Sequence, residues 1–310
     1  MPFINDPKSL ALLGGAAALL AALLWSAAAV IFRKLGENIP PTELNLVKGS
    51  LAVTMMIVTT LLLGEKSPNT STFTLILLAL SGIIGIGLGD TAYFESLNKL
   101  GTRLALLMGV LSPPMAGLIS WGFLGEKLLA ISWLGIMITL VGVSWVIMQE
   151  QSDHPVKRQM WIGLIFAFIA SLSQSIGAVI SIYALTSSDI SALQTAIIRL
   201  LAGIGSLLIV IAFQKGKRFA WLNKSDAVNP TPRKLLGMIA LVGFIGTYLA
   251  IWLQQVALQL APAGITQTLL STSPIFILPI AALRGEKVSW KAVLGVIISI
   301  AGVVLLFSVS

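Results

Sequence analysis

Four ionisable side chains lie within stretches that are otherwise apolar: Lys48, Asp90, Glu95 and Arg199. A charge in an apolar environment is costly, so such residues usually have a partner or face a wet cavity, and they often mark a functional site. Lys48 is close enough to the end of its stretch for its ammonium group to reach the aqueous interface. Arg199 lies deeper, where its guanidinium group either binds a carboxylate bidentately or pairs permanently with Asp90 or Glu95.

Asp90 follows the glycine-rich sequence GIIGIGLGD and shares a helical face with Tyr93. Its carboxylate is a candidate proton carrier or amine ligand, whereas Glu95 lies nearer the end of the stretch and is expected to be hydrated. Other polar and aromatic residues interrupt apolar stretches, with Tyr248, Trp252 and Gln255 at i, i+4 and i+7. Aromatic walls with a few amide and hydroxyl groups suit amphiphilic solutes. The candidate solute-binding residues are Trp25, Ser26, Asp90, Tyr93, Gln174, Arg199, Tyr248, Trp252, Gln255, Gln267 and Ser271.

Three prolines, Pro113, Pro114 and Pro274, are expected in the middle of helices. A proline there removes a backbone hydrogen bond and kinks the helix, and the freed carbonyl groups need partners in protein or in a wet cavity. These prolines are candidate hinges, and a static kink fitted to packing is the alternative. Glycines of small-residue faces are interpreted as helix-packing positions: Gly85, Gly89, Gly135, Gly142, Gly295 and Gly302.

Enzymatic chemistry has little support in this sequence. It has one histidine, His154, and no cysteine, so a histidine-based metal site or catalytic triad is not expected. It has no G-x-x-x-x-G-K-[ST] loop, which argues against an ATPase of its own. The acid or histidine clusters of membrane-bound transferases are also missing. We therefore predict no metal and no cofactor.

The composition is that of a membrane protein: 56% of residues are hydrophobic and 10% are charged, against about 25% charged in soluble domains. The stretch Leu10–Phe32 has no charge over 23 residues, long enough at ~1.5 Å per residue to cross a hydrocarbon layer of ~30 Å. Ten such spans are predicted, at residues 10–32, 43–63, 73–97, 102–124, 131–149, 161–185, 190–213, 235–258, 263–283 and 290–308.

The chain contains an internal repeat. A shift of 160 residues places Pro114 on Pro274, Gly125-Glu126-Lys127 on Gly285-Glu286-Lys287, and Gly142 on Gly302. The repeats are predicted at 1–150 and 151–310, with five spans each. Because five is odd, the second repeat enters the membrane from the opposite side. The predicted fold is all-α and integral to the membrane, with ten transmembrane helices as two inverted-topology five-helix repeats, a design that suits alternating access.

The basic residues predict the orientation. Outside the spans, the side that holds both termini carries Lys8, Lys66 and Lys127, whereas the other side carries fifteen lysines and arginines. Both termini are therefore predicted outside the cell. A cytoplasmic surface that faces anionic lipid accounts for the net charge of +8, so no nucleic-acid partner is inferred.

The chain resembles the ten-helix EamA-type members of the drug/metabolite transporter superfamily. The resemblance covers nearly the whole length and is sharpest in AYFESLNKLGTRLALLMGVLSPPMAGLISWGFLGEKLLAISWLGIMITLVGV and its partner in the second repeat. Trp25-Ser26 and the cationic positions Lys48 and Arg199 also match, although the family usually has arginine at both of those positions. The first span has no acidic residue, unlike the proton-coupled small multidrug pumps of the superfamily.

This resemblance implies export or exchange of small metabolites, often amino acids, across a bacterial or archaeal inner membrane. We predict a monomeric secondary transporter whose partners are a small-molecule solute and the lipid bilayer. The alternatives are a passive channel for the same solutes, an exporter of drug-like cations, and a structural or sensing membrane protein without flux.

Overall fold

The structure is a computed structural model that describes residues 7–65, 70–124, 129–153, 157–214, 219–223, 231–260, 263–283, 285 and 289–307. His154, Gly125-Glu126-Lys127 and Glu286-Lys287 lie outside these ranges. The described chain is almost entirely helical, as expected where lipid leaves backbone groups no partner except each other.

The described residues form ten long helices, α1 to α10, and a short 3₁₀ helix, Ala220–Asn223. Their bounds are α1 Pro7–Gly36, α2 Pro41–Leu63, α3 Thr72–Leu100, α4 in the segments Thr102–Met108, Gly109–Leu111 and Ser112–Leu124, α5 Ala130–Asp153, α6 Lys157–Ser187, α7 Ala192–Phe213, α8 Pro232–Leu260, α9 in the segments Ala263–Leu270 and Ser273–Leu283, and α10 Trp290–Phe307.

Each helix coincides with a predicted span to within a few residues. Eight are long and apolar enough to cross a membrane, and α5 and α10 contain shorter apolar stretches, Ala130–Val146 and Trp290–Leu305. Large apolar side chains on the outer surface are strongly exposed, as Phe213 at 84% and Leu283 at 90% illustrate. A lipid-facing surface explains this exposure. The ten-helix membrane fold with two five-helix repeats is confirmed.

The repeat is also visible in the irregular parts of the helices. Helix α3 contains a π-helical segment, Ile83–Asp90, and α8 contains another, Phe244–Leu249. Their midpoints coincide when the first is shifted by 160 residues. Helices α4 and α9 are interrupted at matching places, by the 3₁₀ turn Gly109–Leu111 and by a turn at residues 271–272. Where π or 3₁₀ turns interrupt a membrane helix, some backbone carbonyl groups lose their α-helical hydrogen bond and require other partners inside the protein.

The three candidate hinge prolines lie within the spans of α4 and α9, and each follows a local break in its helix. Pro113 and Pro114 are in the first turn of Ser112–Leu124, and Pro274 is the second residue of Ser273–Leu283. The amide groups of a first turn have no partner within the helix, so a proline costs little there. Each break falls in the turn before the proline, which is where a proline within a longer helix disturbs the backbone. The assignment of these prolines as hinges stays a prediction. A further proline, Pro279, lies in the interior of the segment Ser273–Leu283.

Small residues allow close crossings of helices. A Cβ atom at Gly82 of α3 would lie 2.7 Å from the Cα atom of Arg199 in α7. A Cβ atom at Gly142 of α5 would lie 2.6 Å from the backbone nitrogen of Ser299 in α10. Both distances are shorter than real side-chain contacts, so these helices meet backbone to backbone. The interpretation of the glycine-rich stretches as packing faces agrees with this geometry.

Two hydrogen-bonded contacts connect α2 with the chain on either side of α7. At the start of α2, Glu43 accepts hydrogen bonds from the backbone N–H of Phe219 (3.0 Å) and from Nε1 of Trp221 (2.8 Å). After the end of α2, Glu65 accepts one from the hydroxyl group of Ser191 (2.8 Å), the residue that caps α7. Each contact joins one repeat to the other.

Candidate functional site

A cavity of about 180 Å³ lies between the two repeats. Its described lining comes from α1 to α4 and from α6 to α9, so each repeat supplies four helices. Helices α5 and α10 pack against each other instead. Nine of the fourteen predicted site and hinge residues line this cavity: Trp25, Asp90, Tyr93, Pro113, Gln174, Arg199, Gln267, Ser271 and Pro274.

Five predicted residues are not part of this lining: Ser26, Pro114, Tyr248, Trp252 and Gln255. The hydroxyl group of Ser26 donates to the carbonyl groups of Ala22 (2.9 Å) and Ser273 (2.7 Å), so it connects α1 to the break in α9. The hydroxyl group of Tyr248 is hydrogen-bonded to Thr59 (2.8 Å).

The stripe of Tyr248, Trp252 and Gln255 was predicted from regular α-helical spacing. The π segment of α8 changes that spacing, because a π turn contains more residues than an α turn. Gly246, Ile251 and Gln254 of this helix line the cavity. Gln255 is fully buried, and neither atom of its amide has a partner among the described residues.

Several lining residues were missed by the sequence reasoning, among them Phe32, Phe94, Ser112, Ser171 and Gln254. Ser171 donates to the carbonyl group of Met108 (2.9 Å), which precedes the break in α4. Ser175 lies one turn after Ser171 in α6, and its hydroxyl group is hydrogen-bonded to the hydroxyl group of Ser112 (3.0 Å). The serines spaced by four in SLSQS were the available signal that α6 contacts an interrupted helix.

Lys48 is part of the cavity wall, and the prediction that its ammonium group reaches the aqueous interface is wrong. It is 3% exposed, and its Nζ atom lies 2.5 Å from Oδ2 of Asp90. The same atom lies 5.0 Å from the ring centroid of Phe94 and 5.7 Å from that of Phe32. A carboxylate and two aromatic faces stabilise the ammonium group in place of water.

The pair is held together by Asn45, one turn before Lys48 in α2. Its side-chain Nδ2 donates to the carbonyl group of Ile86 (2.8 Å), within the π segment of α3, and to the hydroxyl group of Thr91 (3.0 Å), next to Asp90. An amide that satisfies a carbonyl group of the π segment therefore fixes α2 beside α3, and Lys48 reaches Asp90 as a result.

Arg199 forms no direct ion pair with either of the acids proposed for it, although the charge of Asp90 acts on it from a greater distance. Asp90 is paired with Lys48, and Glu95 lies 3.6 Å from Lys99, one turn along its own helix. The guanidinium group is 3% exposed and makes no hydrogen bond or ion pair within the part of the chain that is described, and its Nε atom is buried without a partner.

The position of this group depends on two glycines. Cβ atoms at Gly85 of α3 and at Gly177 of α6 would each lie 3.2 Å from Nη2 of Arg199. The same Cβ atom at Gly85 would lie 3.6 Å from Oε1 of Gln174. The absence of side chains at both glycines therefore leaves room for the guanidinium group to enter the cavity beside Gln174. Such a group can hold an anion, in particular a carboxylate.

Comparison with known proteins agrees with this architecture. Residues 12–148 and 161–308 each match the EamA-like transporter family. Protein LicB of Haemophilus influenzae is 33% identical over 133 residues, which are 43% of this chain and 44% of LicB. The chain thus matches less than half the length of this relative.

A crystal structure of another protein matches 94% of both chains, with a TM-score of 0.67 and 18% identity. That similarity shows the fold alone. The two family matches together span most of the sequence, one in each repeat. The chain therefore belongs to the EamA-like transporter family, whose members are membrane transporters of small solutes and not enzymes.

Proposed function

We propose that this protein is a secondary transporter that exports small amphiphilic metabolites with a carboxylate group, amino acids in particular, from a bacterial or archaeal cell. It works as a monomer by alternating access between repeats 1–150 and 151–310, with both termini outside the cell. The observation that carries the proposal is the buried guanidinium group of Arg199, which lines the cavity and makes no direct ion pair or hydrogen bond with an acid of the described chain.

A buried cation without a direct counter-ion is unfavourable, because the group loses its water and the more distant charge of Asp90, which is already paired with Lys48, offsets that loss only in part. A solute carboxylate would remove that cost while it is bound, and the planar fork of arginine matches a carboxylate in two hydrogen bonds. The proposal therefore assigns the carboxylate of the solute to Arg199 and an adjacent polar contact to Gln174.

The remaining walls favour an amphiphilic solute. Aromatic rings of Trp25, Phe32, Tyr93 and Phe94 line the cavity together with amide groups of three glutamines. The cavity volume of about 180 Å³ is below the ~300–1,000 Å³ of typical drug-sized sites. The small volume favours a small metabolite over a drug-like cation, which was one of the alternatives predicted from the sequence. The positive charge of Arg199 also disfavours a cationic solute.

Alternating access is supported by the two contacts that join the repeats at the ends of α2. The contact of Glu43 with Phe219 and Trp221 lies at the start of α2, and the contact between Ser191 and Glu65 lies after its end. Helices α2 and α7 are antiparallel partners in the repeat, so a rocking motion between the repeats can open one contact while it keeps the other. The interrupted helices α4 and α9 supply candidate hinges before Pro113 and Pro274.

The test is export of a pooled amino-acid panel from cells that overproduce the protein. We expect selective accumulation of amino acids outside the cells, and loss of most of it in Arg199→Gln. Arg158→Gln is the matched control, because Arg158 is exposed at the start of α6 and outside the cavity lining.

Equal export by both variants, or no accumulation with protein present in the membrane, would refute the proposal. Proteoliposomes then separate a carrier from a channel, since a carrier shows saturation and counterflow and a channel does not.

A further inference from the structure

The described cavity lining contains three side chains that are charged at neutral pH: Lys48, Asp90 and Arg199. Lys48 and Asp90 neutralise each other at 2.5 Å. The cavity therefore has one positive charge in excess, and that charge is on Arg199. A charged group on the side chain of a solute would find no free counter-charge apart from this one.

The two repeats contribute to this charge unequally. Lys48 is the eighth residue of α2 and Arg199 is the eighth residue of α7, so the cation is present in both repeats. Asp90 corresponds to Ala250 when α3 is shifted onto α8 by the 160 residues that superpose their π segments. The acid is therefore present in the first repeat alone. The symmetric architecture holds an asymmetric charge set.

From this asymmetry, and resting on the proposed function, we infer that the Lys48–Asp90 pair determines the charge class of the solute. With the pair intact, the cavity accepts neutral amino acids and discriminates against both acidic and basic ones. Arg199 takes the α-carboxylate, and the adjacent α-ammonium group, which that carboxylate already balances within the zwitterion, contacts the amide of Gln174 and the aromatic faces of the lining. The pair leaves neither an ammonium group free for a second carboxylate nor a carboxylate free for a second ammonium group.

This inference rests on desolvation. An extra charge on the solute loses its hydration in the cavity and must gain a counter-charge to bind. Asp90→Asn frees the Lys48 ammonium group, which then suits the second carboxylate of an acidic amino acid. Lys48→Gln frees the Asp90 carboxylate, which then suits a basic amino acid. The double variant Lys48→Gln/Asp90→Asn frees neither group and keeps the net charge of the cavity.

The experiment is counterflow in proteoliposomes with leucine, glutamate and lysine as probes. In Asp90→Asn we expect the rate ratio of glutamate to leucine to rise roughly tenfold, which corresponds to ~1.4 kcal/mol. In Lys48→Gln we expect the ratio of lysine to leucine to rise by a similar factor. The double variant should show neither rise in these ratios, whatever its overall rate.

The ratios compare solutes in the same vesicles, so differences in the amount of folded protein cancel. If a single variant does not insert, Asp90→Ser and Lys48→Met remove the same charges with different side chains. Ratios that stay at the wild-type value in the single variants, or a double variant that shifts as much as either of them, overturn the inference. A wild type that exchanges neither leucine nor other neutral amino acids overturns the proposed function itself.

Discussion

The close crossing of α3 and α7 allows a strong test, because it positions Arg199 without touching its side chain. Gly82→Ala adds a Cβ atom that would lie 2.7 Å from the Cα atom of Arg199, whereas ordinary contacts begin at 3.4 Å. The atom that must move belongs to the backbone, so no side-chain rotation relieves the contact. Helices α3 and α7 must separate by a substantial part of an ångström.

Overpacking of this kind typically costs ~1–3 kcal/mol. Separation of the two helices also displaces Arg199 relative to Gln174 and the cavity, and we expect the apparent affinity for an exported amino acid to fall in Gly82→Ala. The control is Gly205→Ala in α7, where a Cβ atom would have no neighbour within 4 Å. That change removes a helix-disfavouring glycine and should be neutral or stabilising by up to ~1 kcal/mol.

Thermal unfolding in detergent and concentration-dependent transport provide the two measurements. Gly82→Ala should unfold at a lower temperature than Gly205→Ala and should show a raised KM for the solute. Indistinguishable unfolding temperatures and KM values for the two variants would refute the proposed positioning of Arg199 by this crossing.

Two further predictions concern the ends of the bundle. Glu43→Gln and Trp221→Phe each remove part of the buried hydrogen bond between Glu43 and Trp221. Because hydrogen bonds to charged groups are worth ~1.5–3 kcal/mol, a double-mutant cycle on the free energy of unfolding should show a coupling energy of that size. Additive effects of the two substitutions would contradict this prediction. The chain has no cysteine, so a single cysteine at the exposed Glu37 or Asp189 would be the only thiol that a reagent can label. A membrane-impermeant thiol reagent added to intact cells should label Asp189→Cys and leave Glu37→Cys unlabelled. The reverse pattern would invert the predicted orientation.

Much of the architecture was predictable from the sequence. An apolar run of about twenty residues in lipid has few options besides a spanning helix, because its backbone groups must pair internally. The ten spans and the 160-residue repeat therefore follow from local composition and register. The cationic positions Lys48 and Arg199 were also visible, since an arginine or lysine in an apolar run is conspicuous.

The cavity itself was decided by the tertiary structure. The π segments of α3 and α8 and the breaks in α4 and α9 change which residues face inward, so regular spacing placed Tyr248 and Gln255 in the site and missed Gln254. The partner of Lys48 lies 42 residues away on a neighbouring helix, and its identity depends on how Asn45 fixes α2 against a π turn. Sequence alone shows that a charge is buried. Which charges neutralise each other is determined by the helix crossings, because a distance of a few ångströms between two helices decides whether Asp90 meets Lys48 or Arg199.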